Sequence, residues 1–209
     1  MSHDLGQIFA FAWSGWTATW PTQLLALIWI AWLISWVVAS FWSGRTEKHV
    51  MTWDSRAYRI PILAGAILFT PWTAQLLGEA PIWHFGSVGI YVIAVLTLAG
   101  ISFTWWARIH LGRFWSNAIT RKEGHRVIDT GPYGLVRHPI YTGLIAAILA
   151  TGVGVGTVTA MLGAVLISLG MSLKARMEEG FLTKELGADA YGRYCRRVPM
   201  LVPLLPMRS

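Results

Sequence analysis

Residues 140–173 read IYTGLIAAILATGVGVGTVTAMLGAVLISLGMSL, 34 residues without one charge and with Gly152, Gly154 and Gly156 near the middle. A helix that crosses a bilayer needs about 20 mostly apolar residues. This stretch is too long for one ordinary span and too short, at its centre, for a loop domain. It predicts a tight helical hairpin, two apolar helices turning back at the glycines. Outward from it, three more uncharged runs of about one span each cover residues 24–42, 60–77 and 88–106. Residues 8–20 are apolar and aromatic but shorter, with Trp13, Trp16 and Trp20 on one helical face, and read as an interfacial helix or an extension of the first span.

Composition agrees that lipid is the solvent. Hydrophobic residues make up 55% of the 209, charged residues 13%, and the mean hydropathy is +0.50. A soluble domain carries more charge than that. The net charge of +7 and pI near 10 do not point to nucleic acid, because the basic residues cluster between apolar runs with no nucleic-acid motif around them. An anionic membrane face accounts for them. Cys195 is the single cysteine, which leaves no disulfide, paired-thiol redox centre or cysteine zinc site, and no metal chemistry is expected. Met1 to Gln7 carries Asp4 and no Lys or Arg, so the basic flank of a cleavable signal peptide is lacking.

Topology follows from where the cations fall, since short translocated loops lack Lys and Arg. Arg45, Lys48, Arg56 and Arg59 lie in the first gap. Arg108, Arg113, Arg121, Lys122, Arg126 and Arg137 lie in the third. Lys174, Arg176, Lys184, Arg193, Arg196, Arg197 and Arg208 lie in the tail, which completes the supply of 17. The N-terminus, the 78–87 gap and the glycine turn have none. The expected fold class is therefore an all-α integral membrane protein of about five transmembrane helices, N-terminus outside and C-terminus cytoplasmic. Trp42, Trp53, Trp72, Trp83, Trp105 and Trp115 fall near segment ends, as an aromatic belt does.

Polar residues gather in the third gap, 110–139, and in the tail, 174–203. The hairpin returns the chain to the same side, so the two can meet. In Gly131-Pro132-Tyr133-Gly134-Leu135-Val136-Arg137-His138-Pro139-Ile140-Tyr141-Thr142-Gly143, Pro139 suits the first helical position, where its missing N–H would have no intrahelical partner anyway. His138 then stands at the cap. The amides of that first turn favour an anionic group. The bland reading has His138 capping a helix, Tyr133 and Tyr141 anchoring at the interface, and Arg137 meeting lipid phosphates. Lys174 and Glu178 are four apart and share a helix face, which a surface ion pair would also explain; an acid at the membrane boundary is costly without a purpose. Further on, Pro199, Pro203 and Pro206 read as an extended strap across other elements.

Taken in order, Gly131-Pro132-Tyr133, Arg137-His138-Pro139-Ile140-Tyr141-Thr142-Gly143, an apolar hairpin, Glu178-Glu179-x-x-Leu182, Gly187, Tyr191, Tyr194 and Val198-Pro199 resemble the isoprenylcysteine carboxyl methyltransferase family and its phospholipid N-methyltransferase relatives. The resemblance covers about the last hundred residues, from Leu111-Gly112-Arg113-Phe114-Trp115-Ser116 to Pro203. It implies an S-adenosylmethionine-dependent methyltransferase with a cytosol-facing cofactor pocket, formed by the loop between helices three and four and the C-terminal tail, beneath a lipid-accessible tunnel. Carried over by position, the cofactor site comprises His125, Arg126, Val127, Ile128, Tyr133, His138, Pro139, Ile140, Tyr141 and Glu178; the catalytic side comprises Glu178, Lys174 and Arg176. The family's substrate-side arginine falls on Lys174 here, and Lys cannot make the planar bidentate grip that Arg offers a carboxylate.

The division implied is a scaffold of helices one to three over residues 1–107 and a methyltransferase core over 108–209. The expected partners are membrane lipid and a lipophilic small-molecule or lipid-anchored substrate, either a carboxylate or an amine. A carboxylate needs no base, whereas an amine must lose a proton, which Glu178 or a tyrosine would receive. The competing readings are an NADPH-dependent membrane reductase of the sterol-reductase type, whose C-terminal architecture is similar, and a non-catalytic membrane factor.

Overall fold

The computed structural model describes residues 20–41, 46–49, 55–112, 120–122 and 128–203. In chain order these form α1 (Trp20–Ser40), β1 (Thr46–His49), α2 (Ser55–Leu68), α3 (Pro71–Leu76), α4 (Ser87–Leu111), β2 (Thr120–Lys122), a 3-10 turn (Gly131–Gly134), α5 (Pro139–Val155), α6 (Val158–Leu186) and α7 (Ala188–Arg197). Within α1, α4 and α6 the stretches Gln23–Ser40, Ser87–Leu111 and Val158–Lys184 are long and apolar enough to cross a membrane; α5 is apolar but only 17 residues long. Their outward faces carry exposed Val38, Val95 and Leu162. Such faces are unfavourable in water and neutral in lipid.

The hairpin forms where the uncharged run predicts it. Pro139 is the first residue of α5. Gly156 turns the chain with φ of 73°, a left-handed conformation open to glycine at no steric cost, while its N–H closes on Gly152 O at 3.1 Å. Thr157 then caps α6 by accepting the Ala160 N–H at 3.2 Å.

Two expectations are corrected, and a strand pair is added. The second run, 60–77, is two helices and not one: Pro71 has no N–H to continue α2, and Thr70, extended at φ −76° and ψ 143°, starts α3 as its cap. Beside the helices, which keep the expected all-α class, β1 and β2 form a short antiparallel pair, Thr46 opposite Lys122 and His49 opposite Thr120. Arg108 lies not in a loop but inside the last turn of α4, 1% exposed, donating to Ala39 O at 2.8 Å and Gly112 O at 2.9 Å. A guanidinium there satisfies carbonyls at the ends of α1 and α4, which helix geometry leaves open.

Helices approach closely through small residues, as they must where no water drives association. A Cβ on Gly100 would lie 2.6 Å from Gly143 O, and one on Gly65 or Gly163 would lie 2.6 Å from the other's carbonyl. These contacts seat α5 on α4 and α2 on α6. Trp29 Nε1 donates to Thr151 Oγ1 at 3.0 Å, and Thr151 Oγ1 lies 3.2 Å from Thr97 Oγ1, so one buried polar chain joins α1, α5 and α4. Gly143→Leu should force α4 and α5 apart and cost up to about 3 kcal/mol. Thermal unfolding of the detergent-solubilised protein measures it, and an unchanged midpoint would contradict the packing.

The two ends of the bundle differ. At one, the strand pair joins the first and third basic gaps. At the other, Ile82 N–H donates to Gly156 O at 2.8 Å, Trp83 Nε1 donates to Val153 O at 2.9 Å, and Glu79 accepts the N–H groups of Val158 and Thr159. These are loops without Lys or Arg. Among the described residues, the α3–α4 loop thus meets the hairpin turn at the end opposite the cations.

Candidate active site

The chain enters α5 through Arg137 and His138 and leaves the hairpin through Glu178 and Glu179, and the register of the hairpin puts the two dipeptides face to face. Arg137 grips Glu179 with both forks of its guanidinium, Nε to Oε1 at 2.6 Å and Nη2 to Oε2 at 3.1 Å. Its third nitrogen, Nη1, donates to Cys195 O at 2.9 Å and Val198 O at 2.5 Å. Bidentate pairing of this kind is the strong form of a charged hydrogen bond. All three of its nitrogens thus have protein partners.

His138 occupies the cap position of α5, but its imidazole makes no capping hydrogen bond. The ring reaches the acids instead: Nε2 is 3.1 Å from Glu179 Oε1 and Nδ1 is 3.6 Å from Glu178 Oε2. Glu178 Oε1 also accepts the Tyr141 hydroxyl at 2.6 Å and lies 4.0 Å from Lys174 Nζ. The His138 and Tyr141 rings stack at 5.7 Å and 10°. Lys174 Nζ lies over two rings, Tyr141 at 5.4 Å and Tyr58 at 5.8 Å. Side-chain exposure is 6% for His138, 11% for Arg137, 13% for Lys174 and 19% for each glutamate. These are shielded groups, so the i, i+4 pair is not a solvated surface pair.

Burial works to lower the His138 pKa, but hydrogen bonds and charge from Glu178 and Glu179 outweigh it and hold the imidazole above its ordinary 6.5. Because the folded value is raised, the stability contributed by imidazolium is fully present below 6.5 and is lost as pH rises through the raised value. The thermal stability gap between the wild type and His138→Gln should therefore be widest below pH 6.5 and narrow as pH rises above it. A gap that widens with pH would contradict this arrangement.

The tail closes over this cluster as the proline series predicts, within the described residues. Arg137 N–H donates to Pro199 O at 2.9 Å, His138 N–H to Met200 O at 3.1 Å, and Thr142 Oγ1 to Leu201 O at 2.7 Å. Tyr191, Tyr194 and Val198 form a small buried core under α7, and the Tyr194 hydroxyl donates to Tyr133 O at 2.7 Å. Tyr133 stacks on His110, ring centroids 6.3 Å apart.

Of the residues named from sequence, His138, Tyr141, Glu178 and Lys174 come together, with Pro139 and Ile140 in the same helical turn. Tyr133 sits against Tyr194 of α7 and His110 of α4. Arg176 is exposed and stands off this face, as a residue two on from Lys174 must. Ile128 is part-buried, and His125, Arg126 and Val127 lie outside the described residues. Glu179, Arg137 and Tyr58 were not among the sequence candidates. The signal for the first two was present: an adjacent basic pair and an adjacent acidic pair at the same end of one hairpin. Tyr58 had no such mark.

Fold and site together define a helical membrane protein with a shielded, charge-paired cluster where its hairpin opens. Residues 92–184 match the profile of the isoprenylcysteine carboxyl methyltransferase (ICMT) family. It is 30% identical over 103 residues to a protein-S-isoprenylcysteine O-methyltransferase of Schizosaccharomyces pombe, covering 48% of this chain and 43% of that protein. It is 27% identical over 161 residues to protein-S-isoprenylcysteine O-methyltransferase B of Arabidopsis thaliana, covering 72% of this chain and 76% of that one. The match thus spans less than half the length of the first relative.

Proposed function

We propose that the protein transfers a methyl group from S-adenosylmethionine to the carboxylate of a lipophilic, prenylcysteine-like acceptor at the cytoplasmic face of a membrane. The observation that carries this is the shielded Glu178, with Tyr141 and Lys174 at one carboxylate oxygen and His138 at the other. The relatives' names supply the acceptor class.

The donor set suits the cofactor. S-adenosylmethionine carries a carboxylate and two positive groups, and it supplies an electrophilic methyl when bound. Glu178, His138 and Tyr141, with Pro139, Ile140 and Tyr133 nearby, would hold it; Ile128 and the segment His125, Arg126 and Val127 complete the proposed set. Glu178 offers the negative charge its cations need. Lys174 holds the acceptor's anion, and Arg176 draws anions toward the face. An ionised acceptor oxygen needs no base, so the chain's contribution is alignment and exclusion of water, effects worth up to about 7–11 kcal/mol of barrier.

In this reading five spans cross the membrane, N-terminus outside and C-terminus cytoplasmic. The supports are the segregation of Lys and Arg and the meeting of the cation-free loops at the far end. Residues 1–107 form the scaffold and substrate access, and 108–209 the core. The test is methyl transfer by protein in lipid nanodiscs to N-acetyl-S-farnesyl-cysteine. Base-labile methyl ester is the expected product, and its absence with S-adenosylmethionine bound would refute the acceptor assignment.

A further inference from the structure

The turn that carries Tyr133 is held from two helices. From α7, the Tyr194 hydroxyl donates to Tyr133 O at 2.7 Å, while the Tyr133 N–H closes the turn on Thr130 O at 3.1 Å. Those bonds fix the main chain but leave the side chain a choice among staggered rotamers. The ring itself is met from α4, by His110 in the last turn. A histidine there suits the helix dipole, but the dipole does not require the imidazole to face this turn.

The imidazole touches three parts of the turn. Its Nε2 is hydrogen-bonded with Thr130 Oγ1 at 2.9 Å. The ring lies against Gly131, where a Cβ would stand 2.7 Å from Cε1 and 2.9 Å from Nδ1, and where φ is 57°. Only glycine combines that backbone conformation with that clearance. The Tyr133 ring then stacks on the imidazole, centroids 6.3 Å apart and planes 26° apart. Tyr133 is buried. Burial pushes its hydroxyl above the ordinary 10, and Tyr194 and Glu178 add to the rise, so the phenol lies within electrostatic reach of the carboxylate at the centre of the site. Tyr133 thus links the end of α4 to the Glu178 cluster.

We infer that His110 is a positioning residue for cofactor binding: stacked on Tyr133 across the bare Gly131, it selects the orientation in which the Tyr133 ring meets S-adenosylmethionine. This rests on the methyltransferase reading and on the place of Tyr133 in the cofactor site. It gives α4 a part in holding the cofactor, which none of the residues carried over from the family pattern does.

The experiment titrates His110→Ala, His110→Asn and His110→Phe in nanodiscs with S-adenosylhomocysteine. The control is the KM for N-acetyl-S-farnesyl-cysteine at saturating S-adenosylmethionine. His110→Ala should weaken S-adenosylhomocysteine binding about two- to tenfold, the range of one aromatic pair, and leave the acceptor KM unchanged. His110→Phe, which keeps a ring, should restore binding; His110→Asn, which keeps a hydrogen-bonding group without the ring, should not. Tyr133→Leu keeps the backbone carbonyl that Tyr194 uses, and in that background His110→Ala should add nothing, a result that a merely structural role would not produce. Should His110→Ala fail to fold, His110→Asn carries the same comparison. Wild-type affinity in His110→Ala, no rescue by Phe, or an undiminished His110 effect without the Tyr133 ring would overturn the inference. Absence of S-adenosylhomocysteine binding by the wild type would instead overturn the reading beneath it.

Discussion

Arg137→Ala is expected to cost about 3–5 kcal/mol of folding stability, the range for removing one partner of a buried ion pair. The size follows from what the guanidinium holds. It neutralises Glu179, which is 19% exposed, and satisfies the carbonyls of Cys195 and Val198 at the point where α7 passes into the strap. Burial opposes its charge, but Glu179 outweighs burial and keeps the group protonated. Without it, Glu179 keeps the His138 ring among the described residues, and the strap keeps its backbone bonds and the Thr142 hydroxyl but loses the guanidinium where α7 ends. Arg137→Lys preserves the charge but not the fork, so its loss should be smaller. Thermal unfolding in detergent measures both. A neutral Arg137→Ala would show that the tail is held by other means.

Glu178→Gln should act on binding rather than on folding. The amide keeps the size and an acceptor for the Tyr141 hydroxyl but removes the negative charge shared with His138 and Lys174. The expected effect is a 10- to 100-fold weaker hold on S-adenosylmethionine, from the roughly 1.5–3 kcal/mol that a hydrogen bond to a charged group contributes. S-adenosylhomocysteine, whose sulfur is neutral, should lose less. Equal binding by the wild type and Glu178→Gln would remove Glu178 from the site, provided the variant keeps the wild-type unfolding midpoint.

These expectations rest on contacts of unequal legibility. The hairpin could be read because an uncharged run of that length, broken by glycines, has few other solutions in lipid, and Pro139 marked where α5 begins. His138, Tyr141, Glu178 and Lys174 were legible from spacing and from the family pattern. Arg137 with Glu179 was not, because a pair 42 residues apart depends on the register in which α6 returns. The strand pair was hidden for a similar reason: β1 and β2 are short polar segments, and their pairing follows from the helices that bring the two gaps together. The break before Pro71 was visible as Thr70-Pro71, but apolar continuity outweighed it in the reading. In sequence Arg108 reads as a loop cation, and it is the carbonyls of Ala39 and Gly112 beside it that make a buried arginine possible at the end of α4. Tyr58 had no neighbour in sequence to suggest a partner 116 positions away.

The most direct test of the account is isothermal titration of the protein, in detergent or nanodiscs, with S-adenosylhomocysteine and in parallel with NADPH. The account predicts saturable binding of S-adenosylhomocysteine, weakened by Glu178→Gln, and no heat from NADPH. Binding of NADPH alone would contradict it and point to a reductase; binding of neither would leave the cluster a structural brace.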